Sequence, residues 1–440
     1  RTSDGRQARI AMSYPYPDEQ RWWNDYRDQV AARYTAAGRP FPPAFDFDAF
    51  KWWARAAYDI GAGLSPEHSV QRHLHELDVA LGLVQPPPPP RGRLRVDGRR
   101  FVTPEGATFP WRGVSAFQLV ELVARERIAE VEAYLRWAQA SGITLLRVFA
   151  MCQHLFPLRP EAGRAALGLL LAMAATRGLW CEVVALGDTA AYPNLDLAGQ
   201  VIAVGTICAQ HENALVEIAN EPRHETQRPI VGQTEELANA ADLVSPDVLV
   251  AFGAAHGADD ESRAFVGGNY VTIHFDRADG DGGWRGIRHQ REGEAISAAL
   301  HKPVVNDEPR RDDLTPAKFF AMGALNRLLS IGSTFHYADG RFAVIPSGLE
   351  RACFDAWQRG LNALPADFAG VFKNARWADS PVADADFTRV VRVYSSIAGD
   401  HGYTLTLGET GDPHISWGQG WSQRQVVAHV EGATLWEIAR

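Results

Sequence analysis

Two glutamates stand where strand-like apolar runs give way to polar residues. Leu215-Val216-Glu217-Ile218-Ala219 leads into Asn220-Glu221-Pro222, and Lys302-Pro303-Val304-Val305 leads into Asn306-Asp307-Glu308-Pro309. Two facing carboxyl groups can divide one reaction between them: one protonates a departing oxygen, the other meets the positive charge that develops at the carbon left behind. That is what breaking an acetal such as a glycosidic bond requires, and direct attack by the second carboxylate gives a covalent intermediate with net retention of configuration. The two roles need different proton affinities, which repulsion between close carboxylates helps to supply. Asn-Glu-Pro alone is a common tripeptide that also suits a turn or a helix entry; its place after an apolar strand, matched by a second strand-end glutamate, singles it out. Asp307 competes with Glu308, but strand alternation puts it on the opposite face, where a structural hydrogen bond is the expected role.

The elements that must position these residues can be counted. Strands are expected at 109–117, 144–151, 179–186, 215–219, 248–253, 270–275, 303–306 and 333–337, with helices over 127–140, 161–177, 197–210, 235–244, 292–300 and 316–330. Strands alternating with helices imply an α/β architecture with a parallel sheet, and eight alternations in about 250 residues imply closure into a barrel. In such a barrel the C-terminal strand ends form one concave face, so Glu221 and Glu308 fall on the same end. No GxGxxG turn follows the first strand, which argues against a dinucleotide site.

The barrel is expected over residues 92–364, entered through a hairpin around Asp97-Gly98. Before it, residues 1–85 form an aromatic-rich helical extension, ended by the tract Pro86 to Pro90 in a linker over 86–91, since five prolines cannot continue a helix. Trp22, Trp23, Trp52 and Trp53 of that extension are expected to pack, with a sugar-binding platform as the alternative. After it, residues 365–440 read as a small β-rich domain.

The 440 residues carry a formal charge of −9, which argues against a nucleic-acid partner. Arg91, Arg93, Arg95, Arg99 and Arg100 read as a solvated strand face, with an anion site as the alternative. No run of about 18 apolar residues suggests a membrane span, and no secretory signal is visible, so a soluble protein of undetermined compartment is expected. Cys152, Cys181, Cys208 and Cys353 are too scattered for a disulfide framework or zinc site and read as buried thiols.

In combination these motifs resemble clan A glycoside hydrolases, which include the family 5 cellulases and mannanases. Asn220-Glu221-Pro222 matches that clan's motif after strand four, and Lys302 to Glu308 matches its strand seven. Asp97 to Phe101, Phe109 to Val114 and Gly142 to Val148 resemble its entry hairpin and first two strands. The resemblance implies a (β/α)₈ TIM barrel and a retaining hydrolase of a β-linked glycan such as mannan or glucan, working without a cofactor or metal. It makes Glu221 the acid/base, Glu308 the nucleophile, Asn220 a partner of the sugar 2-hydroxyl, Arg147 the cation that keeps Glu308 ionised, and His274 a substrate or nucleophile contact. The chain departs from the clan where Phe275 and Asp276 stand in place of a tyrosine and where His336 and Tyr337 end strand eight in place of a tryptophan. His336, Tyr337 and Trp284, the last in a Gly-rich loop, complete the expected glycan-binding set; loop packing for Trp284 and structural roles for Arg147, His274 and His336 are the alternatives. A metal site from His256, His274 and His336 would want an HxH on strand one, and none is present. A sugar-binding barrel without hydrolytic activity is the competing reading.

Overall fold

The computed structural model describes residues 19–41, 92–254, 263–274, 293–309, 315–365, 382–385, 390–408, 415–417 and 420–440, with positions 74, 77, 81 and 368. The chain divides into two compact units, one centred on residues 1–89 and the other on residues 90–440. In the first, a helix spans Glu19–Ala36, with Tyr26 and Val30 buried. The side chains of Trp22, Trp23, Trp52 and Trp53 lie outside the described residues.

The second unit opens with a hairpin of β1 (Arg95–Asp97) and β2 (Arg100–Val102), paired antiparallel around Gly98 at φ 57°. Its Phe101 joins Leu94, Phe109, Trp111, Leu145, Leu215, Tyr270 and Val305 in one buried cluster at the start of the barrel strands. The arginines of this region are committed. Arg93 donates to the carbonyls of Cys208, Ala209 and His211 at the end of the helix Leu197–Ala209, where a cation complements the helix dipole. Arg99 pairs with Glu294 at 2.9 Å. These contacts tie down Arg93 and Arg99, whereas Arg95 stays exposed on β1 and Arg100 pairs with Asp97 at the surface, as a solvated strand face implies; Arg91 lies outside the described residues.

Eight parallel strands follow: β3 (Arg112–Ser115), β4 (Leu145–Phe149), β5 (Trp180–Leu186), β6 (Ala214–Ala219), β7 (Val250–Ala251), β8 (Val271–Ile273), β9 (Val304–Asn306) and β10 (Gly332–Phe335). Their order is β7-β6-β5-β4-β3-β10-β9-β8, so the sheet curls round until only β7 and β8 lack a ladder between them; a single bridge, Ala251 to Gly268, lies near that seam. This is the expected (β/α)₈ barrel, nearly closed. Helices Ile128–Ala140, Pro160–Thr176, Leu197–Ala209, Thr234–Asp242 and Pro316–Leu329 lie between the strands, as their apolar periodicity implies. Pro160 and Pro316 open two of them, at the position where a missing N–H costs nothing. A further helix, Gly348–Asn362, buries Cys353, Phe354, Trp357 and Leu361 on one face.

Beyond it lie two antiparallel sheets. One pairs β11 (Val382–Ala385) with β14 (Ile415–Trp417); the other has the order β12-β13-β16-β15, from β12 (Val390–Ala398), β13 (His401–Gly408), β15 (Ser422–Val430) and β16 (Ala433–Ala439). Tyr403, Leu405, Leu407 and Leu435 share a buried core with Phe320, Leu325 and Leu328 of the helix Pro316–Leu329. Among the described residues no helix is long and apolar enough to cross a membrane. All four cysteines are buried thiols.

Candidate active site

Arg147 sits at the middle of β4, flanked in register by Ser115 on β3 and Glu182 on β5. Its guanidinium is fully buried and lies 5.2 Å from the centre of the Phe117 ring. Nε donates to Glu217 at 2.9 Å, and Nη2 donates to the other oxygen of Glu217 at 3.0 Å and to Oδ1 of Asn220 at 2.9 Å. Nη1 donates to Glu308 at 2.8 Å. Asp307 lies 3.0 Å from Nε, and Glu182 3.8 Å. Burial by itself would make this cation easier to discharge, but the charges of Glu217, Asp307, Glu308 and Glu182 outweigh it, and its pKa is raised well above the ordinary arginine value.

His274, just past β8, is the second cation of the cluster. Its Nδ1 stands 3.2 Å from Oε1 of Glu221, and its Nε2 stands 3.3 Å from Oδ1 of Asp307 and 3.8 Å from Oε2 of Glu308. Burial pulls the imidazole pKa down, yet the neighbouring charges of Asp307 and Glu308 raise it to about 10. His336, following β10, takes Ser115 on Nδ1 and brings Nε2 to 3.6 Å from Oε1 of Glu308.

The carboxyl groups outnumber these cations. Burial first, then the charges of Asp307 and Glu217, raise Glu182 well above the ordinary carboxyl range, and Tyr270 donates to it at 2.8 Å. Glu217 is pushed up to about 8, again by burial first, with Arg147 opposing. Burial thus favours the protonated form of Glu182 and Glu217. Glu221 and Glu308 are the members that reach solvent: each keeps 7% of its side-chain surface exposed, whereas Arg147, Glu182, Glu217, His274 and Asp307 keep none.

The loop after β6 is held tightly. Glu221 adopts φ 42°, a left-handed conformation that costs a non-glycine residue about 1–2 kcal/mol and that clusters at functional sites. Gln227 donates to the carbonyls of Leu186 and Asn220, at 3.1 and 2.6 Å, which pins the turn on both sides. Oxygens of Glu221 and Glu308 and a ring nitrogen of His274 all lie within 4.8 Å of one another. Glu217, His274 and Asp307 converge equally closely, with the Arg147 guanidinium beside both carboxyl groups.

The structure thus brings Asn220, Glu221, Glu308, Arg147, His274 and His336 together. Tyr337 goes elsewhere: one residue beyond His336 it points outward, its hydroxyl donating to the Val344 carbonyl at 2.6 Å and meeting Tyr134 of the helix Ile128–Ala140 at 3.0 Å. Its expected glycan contact is replaced by this buried bond. Asp307 is also corrected. β9 ends at Asn306, so alternation no longer governs the next two residues, and both Asp307 and Glu308 turn toward Arg147. Trp284, Phe275, Asp276 and His256 lie outside the described residues. Glu182 and Glu217 went unremarked in the sequence, although each is an acid in the middle of an otherwise apolar strand, which is a signal in itself.

No protein-family model matches the sequence, and no curated protein matches it. Solved structures do. A structure described as a glycoside hydrolase aligns with a TM-score of 0.56 at 14% identity, covering 79% of this chain and 97% of its own. A glycoside hydrolase family 5 protein from Bacteroides vulgatus aligns with a TM-score of 0.53 at 13% identity, covering 79% and 93%. At this identity the likeness is one of fold, and the shared fold is the (β/α)₈ barrel that the clan A resemblance implies.

Proposed function

We propose that this chain is a glycoside hydrolase that cleaves a β-linked glycan with retention of configuration. The observation that carries the reading is the approach of Glu221 and Glu308 to within 4.8 Å, oxygen to oxygen. Retaining enzymes hold their two carboxyl groups about 5–5.5 Å apart, whereas inverting enzymes leave about 6.5–9.5 Å for a water. Glu308 is the nucleophile: Arg147 donates to one of its oxygens, which favours the ionised form that attacks the anomeric carbon. Glu221 is the acid/base, on the turn that follows β6 and next to the imidazole of His274. Asn220 gives Oδ1 to Arg147, which leaves its amide to donate to a sugar hydroxyl. His336 occupies the strand-eight end, with its Nε2 3.6 Å from Oε1 of Glu308.

In the first step a Glu308 oxygen bonds to the anomeric carbon as the bond to the leaving oxygen breaks, and the proton of Glu221 goes to that oxygen. In the second, water bonds to the anomeric carbon, the ester to Glu308 breaks, and Glu221 takes the water's proton. The test is a screen against mannan, glucan, xylan, galactan and nitrophenyl β-glycosides, with NMR of the first-formed anomer. Retained β product is expected; an inverted first product would sink the mechanism. Glu308→Gln should lower turnover by about 10⁴-fold or more, on the scale seen when a nucleophile is removed, and a 2-deoxy-2-fluoro glycosyl fluoride should label Glu308. Binding of glycan without any product would favour a carbohydrate-binding barrel instead.

A further inference from the structure

Asp307 is a buried acid for which the two-glutamate mechanism has no use. We propose that Asp307 is a positioning residue, the permanent counter-ion that keeps His274 a doubly protonated bridge between Glu221 and Glu308 while Glu308 is esterified. The inference rests on the retaining reading above and adds a task for a residue outside the reacting pair.

Geometry comes first. Each nitrogen of the His274 ring faces carboxylate oxygen: Nδ1 faces Glu221 at 3.2 Å, and Nε2 faces Asp307 at 3.3 Å and Glu308 at 3.8 Å. A ring without a hydrogen on Nε2 would turn a lone pair on the Asp307 and Glu308 oxygens, whereas the imidazolium turns an N–H and positive charge toward them and keeps its other N–H toward Glu221. The approach to Asp307 is bent away from hydrogen-bond alignment, so the coupling is one of charge. Among the described residues, the other groups around the ring and Asp307 are Arg147 from β4, Glu182 from β5, Glu217 from β6 and Tyr270 ahead of β8, with His336 on the far oxygen of Glu308. Glu217 also comes within 4.8 Å of the ring, but both its oxygens accept from Arg147 and Glu182 accepts from Tyr270, which leaves Asp307 at 3.3 Å the nearer described acid at Nε2.

Chemistry then separates Asp307 from Glu308. Both raise the proton affinity of His274 against the effect of burial. The charge of Glu308 disappears when it forms the glycosyl ester, and that of Asp307 does not. In the second step Glu221 must be an ionised base, and a cation at its Oε1 favours that form. Without Asp307, esterification would leave His274 in a dry site with no counter-ion at Nε2, and the ring would lose its proton.

Two measurements test this. In the wild-type protein, ¹⁵N NMR of histidine-labelled samples, with the His274 signal identified by its loss in His274→Gln, should show both ring nitrogens protonated at neutral pH. A neutral ring there overturns the proposal whether or not any glycan is hydrolysed. Asp307→Asn should move the His274 titration toward acid by at least about one pH unit, the size of effect that a charge at this distance has. With 2,4-dinitrophenyl β-D-mannoside or β-D-glucoside, which needs little acid help in the first step, the same variant should give a burst of dinitrophenolate followed by slow turnover. Its kcat and KM should fall together by about ten-fold or more, because the glycosyl-enzyme accumulates. The alkaline limb of kcat should shift to lower pH by the same unit. A loss of kcat at constant KM, with the limb unmoved, would mean a merely structural role and overturn the proposal. Absence of turnover by the wild type would defeat the hydrolase reading alone, and the NMR would still decide the charge of His274.

Discussion

Glu217 and His274 both hold protons more tightly in the fold than they would in the unfolded chain, so stability should depend on pH with a fixed sign. Glu217 rises from 4.5 to about 8 and His274 from 6.5 to about 10. Between each pair of values the native state binds more protons than the unfolded state, so stability falls as pH rises. For Glu217 that window runs from about pH 4.5 to 8, and for His274 from about 6.5 to 10. Urea unfolding across pH 4.5 to 10 should show the decline, and Glu217→Gln should flatten its lower half while leaving the upper half in place; a stability that rises across the lower window would contradict the burial argument. Within the candidate site, Glu221 and Glu308 were legible at this scale as acids closing apolar runs, whereas Arg147, Asn220 and His274 were singled out by the resemblance to clan A. Asp307 and Tyr337 were placed wrongly for related reasons. Alternation follows from ladder pairing, and it lapses after Asn306, where β9 stops, while it persists far enough past Phe335 to send Tyr337 outward.

The strands read easily because a barrel strand is buried on both faces and shows as a short unbroken apolar run. Each of the eight expected segments overlaps one of β3 to β10, with β6 and β10 starting one residue early and β7 only two residues long. The helix Gly348–Asn362 was harder to see, since its apolar residues are separated by Glu350, Arg351, Asp355, Gln358 and Arg359. What no pattern discloses is how closely two elements approach. Gly253, next after Phe252 at the end of β7, has φ 119°, and a Cβ built there would lie 1.9 Å from the carbonyl oxygen of Ala219, directly before Asn220 and Glu221. Gly253→Ala must therefore push the turn that carries Glu221. A loss of stability of about 1–3 kcal/mol is expected, the scale of a strained backbone position, with a lower kcat on the same substrate. Unchanged unfolding and kinetics would show that the turn has slack.

At the scale of the molecule, the question is whether the C-terminal sheet is a separate body or part of the barrel's fold. The change of texture after Leu364 marks a boundary in the sequence, yet packing runs across it. Leu405 and Leu407 of β13 and Leu435 of β16 are fully buried in a core that also holds Val271 and Ile273 of β8, Val304 of β9, and Phe320, Leu325 and Leu328 of the helix Pro316–Leu329. That helix is thus covered by barrel strands, by the sheet and by the closely packed helix Gly348–Asn362, which is why its buried residues run nearly all round it. Removing the sheet would expose a contiguous apolar face. The connection can be tested without truncation. Leu405→Ala removes a buried side chain from the middle of that shared core and should cost about 2–5 kcal/mol. Because the core is continuous, the loss should appear in the barrel as well: the midpoint for loss of turnover and the midpoint seen by far-UV circular dichroism should fall together, in one transition. If the sheet melted first while the barrel stayed folded, the sheet would be an appended domain, and β8 and β9, which carry His274 and Glu308 at their ends, would owe it nothing.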